Sequence, residues 1–301
     1  MKILVTGSTG LIGSALVPHL GDDGHAVTRL LRSRVSPGEK GILWDIQSGT
    51  LDPAPLEGFD AVVHLAGENI GAGRWSLTRK AIIRDSRVKG TRLLSETLAR
   101  LEQPPKVLVC ASAMGFYGDR AEEILNEESS GGTGFLPDLC REWEAASEPA
   151  AEKGIRVVHL RIGLVLSAQG GALKKMLPPF KMGVGGRLGS GKQYMSWIAL
   201  DDLVGVIEHV IRNDTLAGPV NAATPNPVTN QEFTKTIGRV LGRPTVFPVP
   251  SFAVRLLFGE MGDALLLASA RLEPARLAAS GFAFRYPELE PALRHVLNKP
   301  A

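Results

Sequence analysis

The chain of 301 residues is short of several things, and each shortage excludes something. It has two cysteines, Cys110 and Cys140, and no Cys-x-x-Cys, so a disulfide framework and a cysteine zinc site are excluded. The two thiols read as buried side chains of a protein in a reducing compartment. Charge of one sign is also scarce. Lys plus Arg is 34 and Asp plus Glu is 31, leaving 34 − 31 = +3, with no run of five basic residues. That balance argues against nucleic acid and against an anionic membrane surface as partners. No apolar run approaches the ~18 residues of a spanning helix. Residues 1–5 meet Thr6-Gly7 too early for a secretory leader, so the expected location is cytoplasmic. The six histidines show no metal-ligand spacing, and no metal site is expected. Tyrosine is scarce too: Tyr117, Tyr194 and Tyr286 are the only three.

Glycine, at 34 residues, is in excess of the usual ~7% but has no Gly-X-Y period, so its copies have local purposes. Short apolar runs at residues 2–5, 25–31, 42–44, 60–66, 107–111 and 156–166 predict strands. Residues 11–20, 76–101 and 137–151 predict the helices between them. Strand and helix thus alternate to about residue 166, the pattern of a parallel sheet wound on both faces. Beyond it, helices are predicted at 201–212, 230–241 (capped by Thr229) and 252–271, with strands at 220–222 and 246–249. The expected fold is α/β: a doubly wound Rossmann sheet over residues 1–166, and a smaller C-terminal α/β region on the substrate side over 167–301. The segment at about 196–225 is free to return to the sheet.

Gly7-Ser-Thr-Gly10-Leu-Ile-Gly13 stands between the first strand and the first helix. A dinucleotide pyrophosphate needs backbone N–H groups without Cβ atoms in the way, and the positive end of a helix. Gly7 permits the turn, Gly10 the close approach and Gly13 the packing of helix on strand; Thr9, Leu11 and Ile12 belong to the same cofactor set. NAD sites usually carry a carboxylate at the end of strand two. Here stand Arg32, Ser33 and Arg34. Arg32, assisted by Ser33 or Arg34, suits the 2′-phosphate of NADP(H), the alternative being a solvated basic turn. The strand at 60–66 ends in Leu65, Ala66 and Gly67, small enough to leave room for a ribose. His64 within it reads as a core histidine. The run from Gly186 to Lys192 mimics a P-loop, but Gln193 stands where the Mg²⁺-binding hydroxyl would be, so ATP is excluded.

These residues resemble the extended branch of the short-chain dehydrogenase/reductases, the NAD-dependent epimerase/dehydratase family. Glu68-Asn69, Arg74-Trp75, Ser86-Arg87, Gly163-Leu-Val-Leu166, Lys192-Gln193, Ser196-Trp197-Ile198 and Gly281-Phe-x-Phe-x-Tyr286-Pro287 are similar to an atypical subgroup, the epimerase family proteins, with a C-terminal module of its own. The resemblance implies NADP contacts at Leu65, Ala66, Arg87 and Val165 and a possible homodimer. Trp75 and Lys192 are expected on the substrate side, the loop that carries Lys192 being either a substrate- or phosphate-touching loop over the cleft or a plain surface loop. For Arg87 the plain alternative is a surface helix charge.

The family's Tyr-x-x-x-Lys pair is missing. Tyr117, Tyr194 and Tyr286 are followed four residues on by Ala121, Ile198 and Glu290. The remaining candidates for proton transfer are Glu68 (which as a base would need burial), Asn69, Ser112 and Tyr117, with Ala113 as the other candidate for the strand-five serine position. Two functions fit: an NADP-dependent oxidoreductase or epimerase-like enzyme with a substituted acid/base set acting on an unidentified small molecule, or a catalytically silent NADP(H)-binding protein.

Overall fold

The computed structural model describes residues 1–33 and 41–300; Arg34 lies outside them. The amino-terminal half is built as strand and helix in turn: β1 (Lys2–Thr6), α1 (Leu11–Asp22), β2 (Ala26–Leu31), β3 (Ile42–Asp45), β4 (Thr50–Leu51), β5 (Ala61–His64), α2 (Leu77–Ala99), β6 (Val107–Ala113), β7 (Ile124–Leu125), α3 (Phe135–Ala145), α4 (Glu148–Glu152), β8 (Arg156–Ile162) and β9 (Leu164–Leu166). There follow α5 (Gly171–Lys181), β10 (Tyr194–Met195), β11 (Trp197–Ala199), α6 (Leu200–Arg212), β12 (Gly218–Ala222), β13 (Val228–Thr229), α7 (Asn230–Leu241), α8 (Ser251–Phe258), α9 (Glu260–Gly262), β14 (Arg271–Leu272), α10 (Ala275–Ala279) and α11 (Leu289–Val296).

Eight strands form one sheet in the order β12-β8-β6-β5-β1-β2-β3-β4, parallel except for the antiparallel β3–β4 edge. This is the Rossmann arrangement. The strand order reverses between β1 and β5, and crevices for ligands open at such a switch point. Side chains alternate across the sheet. Ile3 and Val5 join Leu16, Leu20, Leu203 and Ile207 on one face, while Leu4 joins Leu94 and Leu98 on the other. Each such side chain stabilises the fold by roughly 1.5–3 kcal/mol. A third cluster, with Leu173, Phe180, Trp197, Phe233 and Leu293, forms the core of the C-terminal module.

Several predicted elements come out differently. The strand expected over 156–166 breaks at Gly163, where an added Cβ would sit 2.8 Å from the Ser196 carbonyl oxygen. β9 leaves the main sheet there and pairs with β11. The helix expected over 137–151 starts at Phe135 and divides into α3 and α4; the Ser147 hydroxyl at the break donates to the Glu144 carbonyl (2.7 Å). No strand forms over 246–249. Pro248 and Pro250 remove ladder donors, and Val249 makes only an isolated bridge to Leu188. The helical segment after 252 ends at Leu267, and Arg271 and Leu272 pair with β7 as a strand. Thr229 does cap α7, accepting from the Glu232 N–H, and Ser76 caps α2 in the same way.

One buried polar network ties the two halves together. Arg161 on β8 holds both carboxylate oxygens of Glu144 on α3, at 3.0 and 2.9 Å. It also donates to the Tyr117 hydroxyl (3.0 Å) and stacks on the Phe116 ring, 3.4 Å from its centroid. Tyr117 donates in turn to Asn221 Oδ1 on β12 (2.7 Å). The Asn221 amide donates to the carbonyls of Leu125 and Glu273, which fixes its orientation. Removing one partner from such a buried pair strands the other charge. Arg161→Met is therefore expected to lower unfolding stability by about 3–5 kcal/mol, read from denaturant melts. A loss below about 1 kcal/mol, typical of a surface pair, would contradict this account.

Candidate functional site

The site begins where β1 ends. Gly7 has φ +65°, and an added Cβ would lie 2.7 Å from the Leu65 carbonyl carbon, so only glycine lets the two strand ends come this close. A Cβ on Gly13 would sit 2.3 Å from the Gly7 oxygen, so the first turn of α1 rests directly on the loop. Gly10 caps the helix in an extended conformation with no side chain over the end. The N–H groups of Leu11, Ile12 and Gly13 consequently have no acceptor among the described residues. Ser8, in the same loop, is buried, and its hydroxyl has no partner. Thr9 is exposed. Open N–H groups, a glycine cradle and an unpartnered hydroxyl fit a dinucleotide pyrophosphate. The sequence does not single out Ser8, because nothing in Gly-Ser-Thr-Gly distinguishes its two hydroxyls.

The end of β5 is held by a hydrogen-bond chain. Thr6 Oγ1 accepts from the N–H groups of Leu65 and Ala66 (both 3.1 Å), so its own hydrogen goes to His64 Nδ1 (2.7 Å). His64 Nε2 therefore carries the ring proton and donates to Thr91 Oγ1 (3.0 Å), which also accepts from Trp143 Nε1. Burial pushes the His64 pKa down to about 4. The ring is neutral and structural, as the sequence suggested.

Gly67 comes next and faces Arg87 on α2; a Cβ there would lie 3.3 Å from the guanidinium carbon. Arg87 stacks on Trp143 (5.0 Å) and donates to the Ile83 carbonyl. Burial lowers its pKa. Among the described residues no carboxylate pairs with it. A part-buried guanidinium without a counter-ion at the crevice suits an anionic group better than it suits a surface charge. On the other side, β9 places Val165, and Gly170 and Gly171 close on Leu11, where added Cβ atoms would both approach to 3.0 Å. Arg32 and Ser33 are exposed at the end of β2.

The residues expected to move protons are mostly engaged elsewhere. Tyr117 does not reach the crevice. It is fully buried in the network that joins β8 to β12, and burial raises its pKa. Ser112 donates to Glu144 Oε1 (2.6 Å), so its proton is committed inward. On α3, Leu136 packs against Gly115, just past β6, and Cys140 Sγ lies 3.8 Å from the Ala113 oxygen at its end. One is a hydrocarbon. The other is a thiol that burial pushes up to about 12. Glu68 is not buried; it is partly exposed and paired with Arg79 (3.0 Å). Asn69 Oδ1 accepts from the Gly71 N–H (2.9 Å), which leaves its amide hydrogens for a ligand.

Trp75 donates to the Ile70 carbonyl and packs edge-on against Phe135. The loop they belong to is bridged to the C-terminal module by Lys175 to the Gly71 carbonyl and Arg74 to the Leu256 carbonyl. Lys192 is exposed. Its loop is anchored on Asn230, Val249 and Leu266, and none of these contacts runs to the glycine loop.

Comparison with known proteins places this geometry. Residues 3–223 match the model of the NAD dependent epimerase/dehydratase family, and residues 249–296 match a domain of unknown function, DUF1731. The epimerase family protein Mb2239 of Mycobacterium bovis is 44% identical over 298 residues, covering 99% of this chain and 98% of its own. The crystal structure of human epimerase family protein SDR39U1 (isoform2) with NADPH superposes with a TM-score of 0.90 at 36% identity, covering 99% of both chains. A nucleoside-diphosphate sugar epimerase from Corynebacterium glutamicum gives 0.80 at 38% identity, covering 99% of this chain and 58% of that one.

Two outcomes test the site's construction. Gly13→Ala should destabilise the fold by about 1–3 kcal/mol. Gly21→Ala, on the same helix with nothing within 4 Å, should be neutral or stabilise by up to ~1 kcal/mol; thermal melts of both variants decide. The unfolded chain protonates His64 near 6.5, whereas the folded one resists to about 4. Acid therefore favours unfolding, and about 3 kcal/mol is lost as pH falls through that window. His64→Gln should flatten the pH dependence of stability there, and an unchanged slope would contradict it.

Proposed function

The chain belongs to the NAD-dependent epimerase/dehydratase family, and from that premise we propose that it binds NADP(H) and works as an oxidoreductase or epimerase-like protein without the usual Tyr/Lys proton relay. The observation that carries this reading is the open, glycine-lined N-terminus of α1 beside an Arg87 guanidinium that makes no ion pair among the described residues. The relative solved with NADPH supports the same cofactor.

In this reading Leu11, Ile12 and Gly13 offer N–H groups to the pyrophosphate, and Ser8 adds its hydroxyl. Arg32 and Ser33 take the 2′-phosphate. Leu65, Ala66 and Gly67 line the adenosine side, and Arg87 and Val165 complete the cradle. The cofactor, when bound, supplies a hydride donor or acceptor. Asn69, whose Oδ1 is engaged by the Gly71 N–H, has its amide hydrogens to offer a substrate oxygen, and Glu68 is its neighbour in sequence. Without a general acid of the tyrosine type, turnover is expected to be about 10²–10⁴ below that of a family member that has one.

A second reading, an NADP(H)-binding protein without turnover, is favoured by the inward commitment of Ser112, Tyr117 and Cys140.

The deciding experiment is titration of the protein with NADPH and NADH, followed by a carbonyl and sugar-nucleotide panel. NADPH should bind more tightly, and Arg32→Glu should lose or reverse that preference; equal affinities in the wild type would overturn the assignment of Arg32. Oxidation of NADPH that disappears in Glu68→Gln supports the enzyme. Tight binding with no turnover over the whole panel selects the silent protein.

A further inference from the structure

The histidines alone carry no metal-ligand spacing, but the fold adds carboxylates to one of them. His19 lies one turn before Asp23, so the two share a face at the carboxyl end of α1. α6 packs beside α1, and Leu16 and Leu20 belong to the same core cluster as Leu203 and Ile207. This packing brings up Glu208, 189 residues from His19 in the chain. His19 Nε2 stands 2.8 Å from Glu208 Oε2 and 3.5 Å from Asp23 Oδ2. Among the described residues these three are the one group of His, Cys, Asp or Glu whose ligand atoms, all within 4.8 Å of one another, could share an ion.

Bonds within the protein leave this group incomplete. Nε2 carries at most one hydrogen and can donate it to one carboxylate. Glu208 takes it, and the Asp23 carboxylate receives no hydrogen bond from any described residue. Asp23 and its neighbour Asp22 also stand at the negative end of the helix dipole, where cations are the favoured side chains. The nearby cation, Arg212, holds the other oxygen of Glu208 (2.5 Å). Arg212 also meets His25 Nε2 (3.3 Å), and His25 Nδ1 lies 3.3 Å from the terminal amine. Asp23 is paired with none of these.

We propose that His19, Asp23 and Glu208 bind a divalent transition-metal ion such as zinc, which braces α1 against α6. Ligand atoms about 2.0–2.2 Å from one tetrahedral ion stand roughly 3.3–3.6 Å apart. The separation of His19 from Asp23 already has this value, and that of His19 from Glu208 needs to open by less than an ångström. The imidazole selects a transition ion over calcium or magnesium, which take oxygen ligands. On binding, the ring hydrogen moves from Nε2 to Nδ1, and the freed lone pair joins the two carboxylates on the ion. Water fills the remaining position, since Asp23 is open to solvent. Arg212 keeps its oxygen of Glu208 and fixes that carboxylate, as outer partners of metal ligands do. The site lies at the opposite end of α1 from the glycine loop, so its effect is on the stability of the fold.

The test is calorimetric titration of the metal-free full chain with zinc chloride, with melting temperatures read in zinc and in EDTA. The wild type should bind one equivalent and melt higher in zinc. Asp23→Asn changes an exposed carboxylate that accepts no hydrogen bond, so it should keep the wild-type melting temperature in EDTA. It should lose the rise in zinc and bind zinc more than ~10-fold more weakly, the least that loss of an outer partner costs. Glu208→Gln should weaken binding likewise, and His25→Ala should bind as the wild type does. A wild type that gains no stability from zinc overturns the proposal, as does undiminished binding by Asp23→Asn. Binding that is lost in His25→Ala and kept in Asp23→Asn would put the ion on the terminal amine and His25, and the assignment to His19, Asp23 and Glu208 falls.

Discussion

Both carboxylate oxygens of Glu144 are held by the Arg161 guanidinium, in a place where little water reaches either charge. Burial works against the Arg161 charge, and the bonds from Glu144 more than offset it, so its pKa is raised. From this pair the rest follows outward. Ser112 at the end of β6 points into it, Tyr117 stacks beside it and reaches Asn221 on β12, and Glu127 accepts from the Asn221 and Arg276 N–H groups. These polar contacts join the Rossmann sheet to the segment beginning at β14.

The same interaction has a chemical consequence. Ser112, at the end of β6, and Tyr117, just past it, are residue types able to relay protons. Their hydrogens are spent on Glu144 and Asn221. Leu136 and a protonated Cys140 stand beside Ser112 and Tyr117. The glycine loop is different: there the backbone donors of α1 are open and the glycines leave space. The open donors and the committed side-chain hydrogens thus belong to separate parts of the fold.

Much of the architecture was legible in the residues. Alternating apolar runs and helical spacing predicted the parallel sheet because both are local periodicities. Gly7, Gly10 and Gly13 predicted the loop because lack of a Cβ is a property of the residue itself. The absence of a Tyr-x-x-x-Lys was equally plain, being a matter of spacing. What tertiary structure alone decided was where each polar hydrogen goes. Tyr117 is by residue type a candidate for the crevice, yet it is buried on Arg161 and Asn221, which are 44 and 104 residues away. Gly163 ends β8 because the Ser196 carbonyl arrives from another segment, and Ser8 is singled out from Thr9 only by burial. A residue's type and its near neighbours determine which bonds it is able to make. Which of those bonds it does make depends on groups that the chain brings to it from far away.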